Sequence, residues 1–170
     1  MKPSLVLVAF LSPSDPMLRA WTAFRLGLRD IRPTEADLVG PDRAVAAAAA
    51  AAAASGSAAA SGFWRILSTN NREIGRGTLL YSSSSAARMH LRLLQSLTDR
   101  MTVSIVTGPS AGTHGWLVSA GDREVMSCAR WYASGPAARR AANATVAALQ
   151  LAVFSPSPRA GSAAIRANEW

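Results

Sequence analysis

Between positions 63 and 153 the apolar and polar positions run strand, strand, helix, and then do so again. Phe63–Ser68 is a β-forming run with two aromatics, closed by Thr69-Asn70-Asn71, and asparagine tolerates the positive φ of a tight hairpin turn. Glu73–Tyr81 predicts a second strand. Ser82–Ser85 then offer side-chain acceptors to the free N–H groups at the start of a helix over 85–98. The second set reads Gly115–Ala120, a turn at Gly121-Asp122, Glu124–Tyr132, a cap at Ser134-Gly135-Pro136 and a helix over 136–151. Thr102–Val106 is a further strand just before the second set. Nothing equivalent directly precedes the first, and Ser4–Leu11, rich in Leu, Val and Phe, is the segment that could fill that gap.

The two sets are copies. Arg72–Arg88 aligned with Arg123–Arg139, a shift of 51, gives seven identities in 17 positions: Arg72/Arg123, Glu73/Glu124, Tyr81/Tyr132, Ser83/Ser134, Ala86/Ala137, Ala87/Ala138 and Arg88/Arg139. Chance would give about one. Ile74/Val125 is conservative, and upstream the shift becomes 52, pairing Trp64 with Trp116 and Ile66 with Val118. A duplicated folding unit argues against one asymmetric active site.

The rest of the chain divides around the repeats. Residues 1–40 form an N-terminal module: the Ser4–Leu11 strand, a stop at Pro13 and Pro16, and a helix. In that helix Met17, Trp21, Phe24, Leu28 and Ile31, spaced 4, 3, 4 and 3, make one apolar stripe with Arg19, Arg25, Arg29 and Arg32 off it, until Pro33 ends it. Residues 41–62 are a low-complexity Ala/Ser/Gly linker containing the alanine run Ala46–Ala54. Residues 63–153 are the tandem-repeat domain, and 154–170, rich in Ser, Pro, Ala and Arg, are expected to be a disordered tail.

Composition changes this picture in two ways. Much of the 49% hydrophobic content is alanine and aromatics are 6%, so the core must rest on a few large side chains. The net charge of +8 comes from 18 bases of which Lys2 is the only lysine, a bias that codon usage explains as well as binding does. Residues 63–153 carry ten Arg against four acids, and that excess would attract a polyanion. The single cysteine, Cys128, excludes an internal disulfide and fits a reducing compartment. Leu5–Leu11, seven apolar residues after one charge, is a weak secretion signal and too short to span a bilayer, so no transmembrane segment is expected and a cytoplasmic location is.

Chemistry-bearing patterns are few. Gly108-Pro109-Ser110-Ala111-Gly112 spells a nucleophile-elbow motif, but a strand rather than a helix follows, and His114 is only four residues away with no acid between. His90 and His114 have no Cys/His company at metal-ligand spacing. No phosphate-loop or dinucleotide glycine pattern is present. Arg72-Glu73 and Arg123-Glu124 are strand neighbours that point to opposite faces, which suits solvent-facing or cross-strand charge pairing rather than an acid/base dyad. Trp64, Trp116, Trp131, Tyr81 and Tyr132 interleave with Arg65, Arg76 and Arg130. Such rings could stack single-stranded bases, but packing against the two helices is the simpler expectation.

The paired units resemble the YegP-like family, small bacterial domains whose activity is not established. The resemblance rests on the Trp-containing first strands (Phe63-Trp64-Arg65-Ile66-Leu67 and Gly115-Trp116-Leu117-Val118). It rests also on the turn, and on second strands ending Tyr81-Ser82-Ser83 and Tyr132-Ala133-Ser134 before Ala-Ala-Arg opens a helix. The turns depart from the family's Asn-Gly, being Asn70-Asn71 and Gly121-Asp122. The resemblance implies tandem units that pair with one another and carries no catalytic residue. The expectation is an α+β fold of two strand–strand–helix repeats forming an antiparallel sheet with helices on one face. The expected function is a non-enzymatic structural or protein-interaction module, self-associating through sheet edges, with no catalytic, cofactor-binding or metal-binding residues and no cofactor. The alternative is weak, sequence-independent nucleic-acid binding.

Overall fold

The computed structural model describes residues 2–10, 14–28, 61–81 and 83–155. In chain order the elements are β1 (Ser4–Phe10), α1 (Pro16–Gly27), β2 (Ser61–Leu67), β3 (Glu73–Gly77), α2 (Ser84–Ser96), a 3-10 turn (Thr98–Arg100), β4 (Met101–Thr107), β5 (His114–Ala120), β6 (Arg123–Ser127), α3 (Gly135–Leu151) and β7 (Val153–Phe154). The fold is α+β, with one seven-stranded sheet in the order β4-β5-β6-β3-β2-β1-β7. The alanine run, Ile31, Pro33 and residues 156–170 lie outside the described residues.

The duplication organises the sheet. β1 pairs antiparallel with β2 as β4 pairs with β5, so β1 is the strand that the first unit lacks in its own neighbourhood. The units join through β3 and β6, where Arg76 faces Ser127, two residues separated by the 51 positions of the repeat. A pseudo-twofold axis therefore passes through that pair. Both hairpins carry the same irregularity, between Ile66 and Leu67 and between Val118 and Ser119, which leaves Ile74 and Val125 as the extra bulge residues. The step from a shift of 51 to 52 is one residue of hairpin loop: the first turn uses three residues with Asn71 at φ 62, the second uses Gly121-Asp122 with Gly121 at φ 62.

The second strands are shorter than Glu73–Tyr81 and Glu124–Tyr132 predict. After Gly77 the backbone leaves the ladder because Thr78 turns to the partner unit's bulge, its N–H donating to Val125 O at 3.3 Å and its hydroxyl to Glu124 O at 2.6 Å. Pairing resumes as single bridges, Gly62 with Tyr81 and His114 with Tyr132. The helices begin where the serines place them: Ser83 and Ser134 accept from Ala86 N and Ala137 N at 3.1 and 3.3 Å.

Strand alternation sends Leu5, Leu7, Trp64, Ile66, Trp116, Val118 and Met126 to one face, where they bury against Ala87, Leu91 and Leu94 of α2 and Ala138, Ala142 and Leu149 of α3. α1 lies on the opposite face. Its Trp21 packs on Phe63 with ring centroids 5.8 Å apart, Phe63 stacks on Phe10 at 5.5 Å, and Trp21 Nε1 donates to Gly77 O at 3.1 Å. Further along, Phe24 meets Trp131 at 5.1 Å and Arg76 lies over the Phe24 ring. The repeat helices thus share one face as expected, and the N-terminal helix covers the other. β7 adds one parallel pair beside β1, with Val153 N donating to Pro3 O and Ser155 N to Leu5 O. Phe154, placed at the start of the tail by composition, belongs to that pair.

Candidate functional surfaces

Among the described residues β4 ends the sheet, with β5 as its one strand neighbour. Edge strands are ordinarily blunted by charge, proline or a bulge. β4 reads Met-Thr-Val-Ser-Ile-Val-Thr, with no charged residue and no proline, and its pairing with β5 runs over all seven residues without a register shift. On the helix-bearing face Met101, Val103 and Ile105 are only half-buried. Beside them, between β4 and α3, runs a groove of about 270 Å³ lined by Thr98, Asp99, Met101, Val103, Val146 and Gln150, among others.

A second feature comes from the repeat. In unit one, Trp64 Nε1 donates to the Tyr81 hydroxyl at 3.1 Å, and that hydroxyl lies 2.6 Å from His90 Nδ1. Trp64 is fully buried and Tyr81 nearly so. Burial pushes the Tyr81 hydroxyl up to about 12, partly offset by the Trp64 N–H. Burial, and secondarily the Arg123 guanidinium, hold His90 below the ordinary imidazole range. In unit two the position of His90 is Ala141, and the network is gone: Trp116 Nε1 is buried with no hydrogen-bond partner among the described residues. Tyr132 instead sits under the Arg130 guanidinium, 5.2 Å from the ring centroid.

The residues singled out for chemistry stay apart. Ser110 is exposed in the β4–β5 hairpin loop, closed by Gly108 N to Thr113 O at 2.8 Å and Thr113 N to Ser110 O at 3.1 Å, so no helix follows the serine. Cys128 is fully buried, its sulfur accepting from Trp116 N at 3.4 Å, and burial pushes its thiol up, away from thiolate reactivity. His90 is tied to Tyr81, while His114 lies at the start of β5. Among the described residues no three or more His, Cys, Asp or Glu gather where a metal could be held. Glu73 does pair across strands with Arg65 at 3.4 Å, and within β3 with Arg76 at 2.7 Å. Trp64 and Trp116 are both fully buried and leave no ring face for a base to stack on. The Trp64–Tyr81–His90 network left no signal in the sequence, because a helix position such as 90 meets a strand position such as 81 only through the fold.

No helix among the described residues is long and apolar enough to cross a membrane. No protein family, no curated protein and no solved structure matches this chain.

Proposed function

We propose that the protein is a non-enzymatic, homotypic interaction module of YegP-like type that pairs with a second copy of itself through β4. The observation that carries this reading is a seven-residue edge that no other described strand covers, uncharged along its whole length. An antiparallel β4–β4 pair centred on Ser104 would set Arg100 against the partner's Gly108, so no like charges meet. It would also bring the half-buried Met101, Val103 and Ile105 of both copies onto one continuous face. Backbone pairing and apolar burial supply the attraction, which fits a chain whose other surfaces carry scattered arginine. The lone buried thiol fits a cytoplasmic setting.

Sedimentation equilibrium over a range of protein and salt concentrations tests the proposal. The expected result is a reversible dimer that survives raised salt, and that Ser104→Lys converts to monomer with the melting temperature retained, because Ser104 is exposed in the single copy. A wild-type protein that stays monomeric throughout, or a Ser104→Lys dimer as tight as wild type, sinks the proposal. A parallel titration with a single-stranded oligonucleotide at two salt concentrations tests the nucleic-acid alternative, for which salt-labile, sequence-independent binding by the monomer is the expected behaviour.

A further inference from the structure

We propose that the cleft between the first hairpin and the loop after β6 binds a small phosphate dianion, either orthophosphate or the phosphate of a small monoester. The β3–β6 register builds the cleft: continued from Arg76–Ser127 toward the hairpin, it sets Glu73 level with Arg130. The cleft encloses about 210 Å³ and is lined by Asn70, Arg72, Glu73, Arg130 and Tyr132, among others. That is below the size of pockets that take drug-sized ligands, and it suits an anion with little organic body.

Its lining consists mostly of donors. Arg72 and Arg130 are exposed guanidinium groups with no ion pair among the described residues. Glu73, the one acid present, is already engaged by Arg65 and Arg76, so its charge is offset from the β2–β3 surface rather than left in the cleft. The Asn70 carbonyl oxygen accepts from the Ser68 hydroxyl at 2.5 Å, which leaves its NH₂ group to donate. The Tyr132 hydroxyl has no hydrogen-bond partner among the described residues, whereas the twofold-related Tyr81 hydroxyl is held by Trp64 and His90. Replacement of that histidine by Ala141 in unit two removes the inward anchor. The consequence is the orphaned Trp116 Nε1, a buried donor of a kind native structures rarely keep without a reason. One of two copied tyrosines is locked into the core, and the other, stacked under Arg130, is left for a ligand. Two guanidiniums match the charge of a phosphate monoester near neutral pH better than the single charge of a backbone phosphodiester.

The test is calorimetric titration of the full chain with orthophosphate, with phenyl phosphate and with an oligothymidylate lacking terminal phosphates, at matched ionic strength. Saturable binding of the first two is expected. It should weaken by about tenfold or more in Arg72→Gln/Arg130→Gln, the order of one lost charge-assisted hydrogen bond. It should be unchanged in Arg139→Gln/Arg140→Gln, which removes the same charge from the exposed surface of α3. Amide chemical-shift mapping on the wild-type protein supplies a measurement that needs no variant to fold, and phosphate should move residues 68–73 and 130–132. Non-saturating heats, equal losses in both double variants, shifts spread over α3, or binding by the oligonucleotide alone would overturn the assignment. Self-association plays no part in any of these outcomes.

Discussion

At the scale of single residues the duplicated positions have taken unequal environments. Tyr81 and Tyr132 are the same residue at the same place in two units, yet one is a core hydrogen-bond relay and the other lines a cleft. The difference traces to residue 90 against residue 141, a histidine against an alanine. That histidine gives the fold a pH dependence. Burial strips hydration from the imidazolium and Arg123 repels it, so the folded chain binds the proton less tightly than the unfolded chain. The His90 contribution is therefore complete above the unfolded value of 6.5 and is lost as the pH falls through it toward the lower folded value. Thermal melts between pH 8 and pH 5 should show Tm falling with acidification, and His90→Gln should flatten that slope. An unchanged slope in the variant would mean that other groups carry the acid sensitivity.

At the scale of elements, each irregularity has a specific repair. The bulges free carbonyls from the ladder, and threonine hydroxyls take them up: Thr145 of α3 donates to Ile74 O at 3.2 Å and Thr78 to Glu124 O at 2.6 Å. Thr78 is almost fully buried, so Thr78→Val keeps shape and adds apolar character, yet leaves Glu124 O short of a partner. A loss of about 1–3 kcal/mol in denaturant unfolding, with an unchanged m-value, is the expected outcome. A neutral or stabilising substitution would show that the carbonyl is satisfied another way. The elements themselves were largely legible, because strand alternation, serine caps and turn residues are local signals: Ser83 and Ser134 cap the helices, and Asn71 and Gly121 take the positive φ. The detour at Thr78–Leu80 was not legible, since it is caused by a bulge in the other unit, about 46 residues away along the chain. The same limit hid the cleft, whose two walls come from residues 68–74 and 130–132 and meet only through the β3–β6 register.

At the scale of the whole molecule, the two units are complementary rather than interchangeable. Across the pseudo-twofold, Gly77 of β3 faces Met126, and Gly75 precedes it on the same face. A Cβ on Gly77 would lie 2.7 Å from Trp64 Nε1, and one on Gly75 would lie 2.7 Å from Thr145 Cγ2 and 3.1 Å from Trp116 Cη2. The repeat-equivalent residues in unit two are Met126 and Cys128, both fully buried. At Gly75 unit one therefore supplies the empty space and Thr145 and Trp116 of unit two occupy it, whereas the space over Gly77 is taken by Trp64 of unit one itself. Two copies of unit two in the same register would put Met126 where Gly75 makes room for Trp116 and Thr145, and a rigid buried tryptophan cannot yield to it. Two copies of unit one would leave the seam underfilled. The halves are further tied by Gln95 of α2, whose Nε2 donates to Leu149 O and Ala152 O at the end of α3, and by β7 lying against β1. Fragments 1–100 and 101–170 should then be largely unfolded alone and recombine one-to-one into a cooperative species when mixed. Far-UV circular dichroism and native mass spectrometry would read this directly. A fragment 101–170 that folds and dimerises through β6 without its mate would show that the seam tolerates methionine in place of Gly75, and the units would not be complementary there.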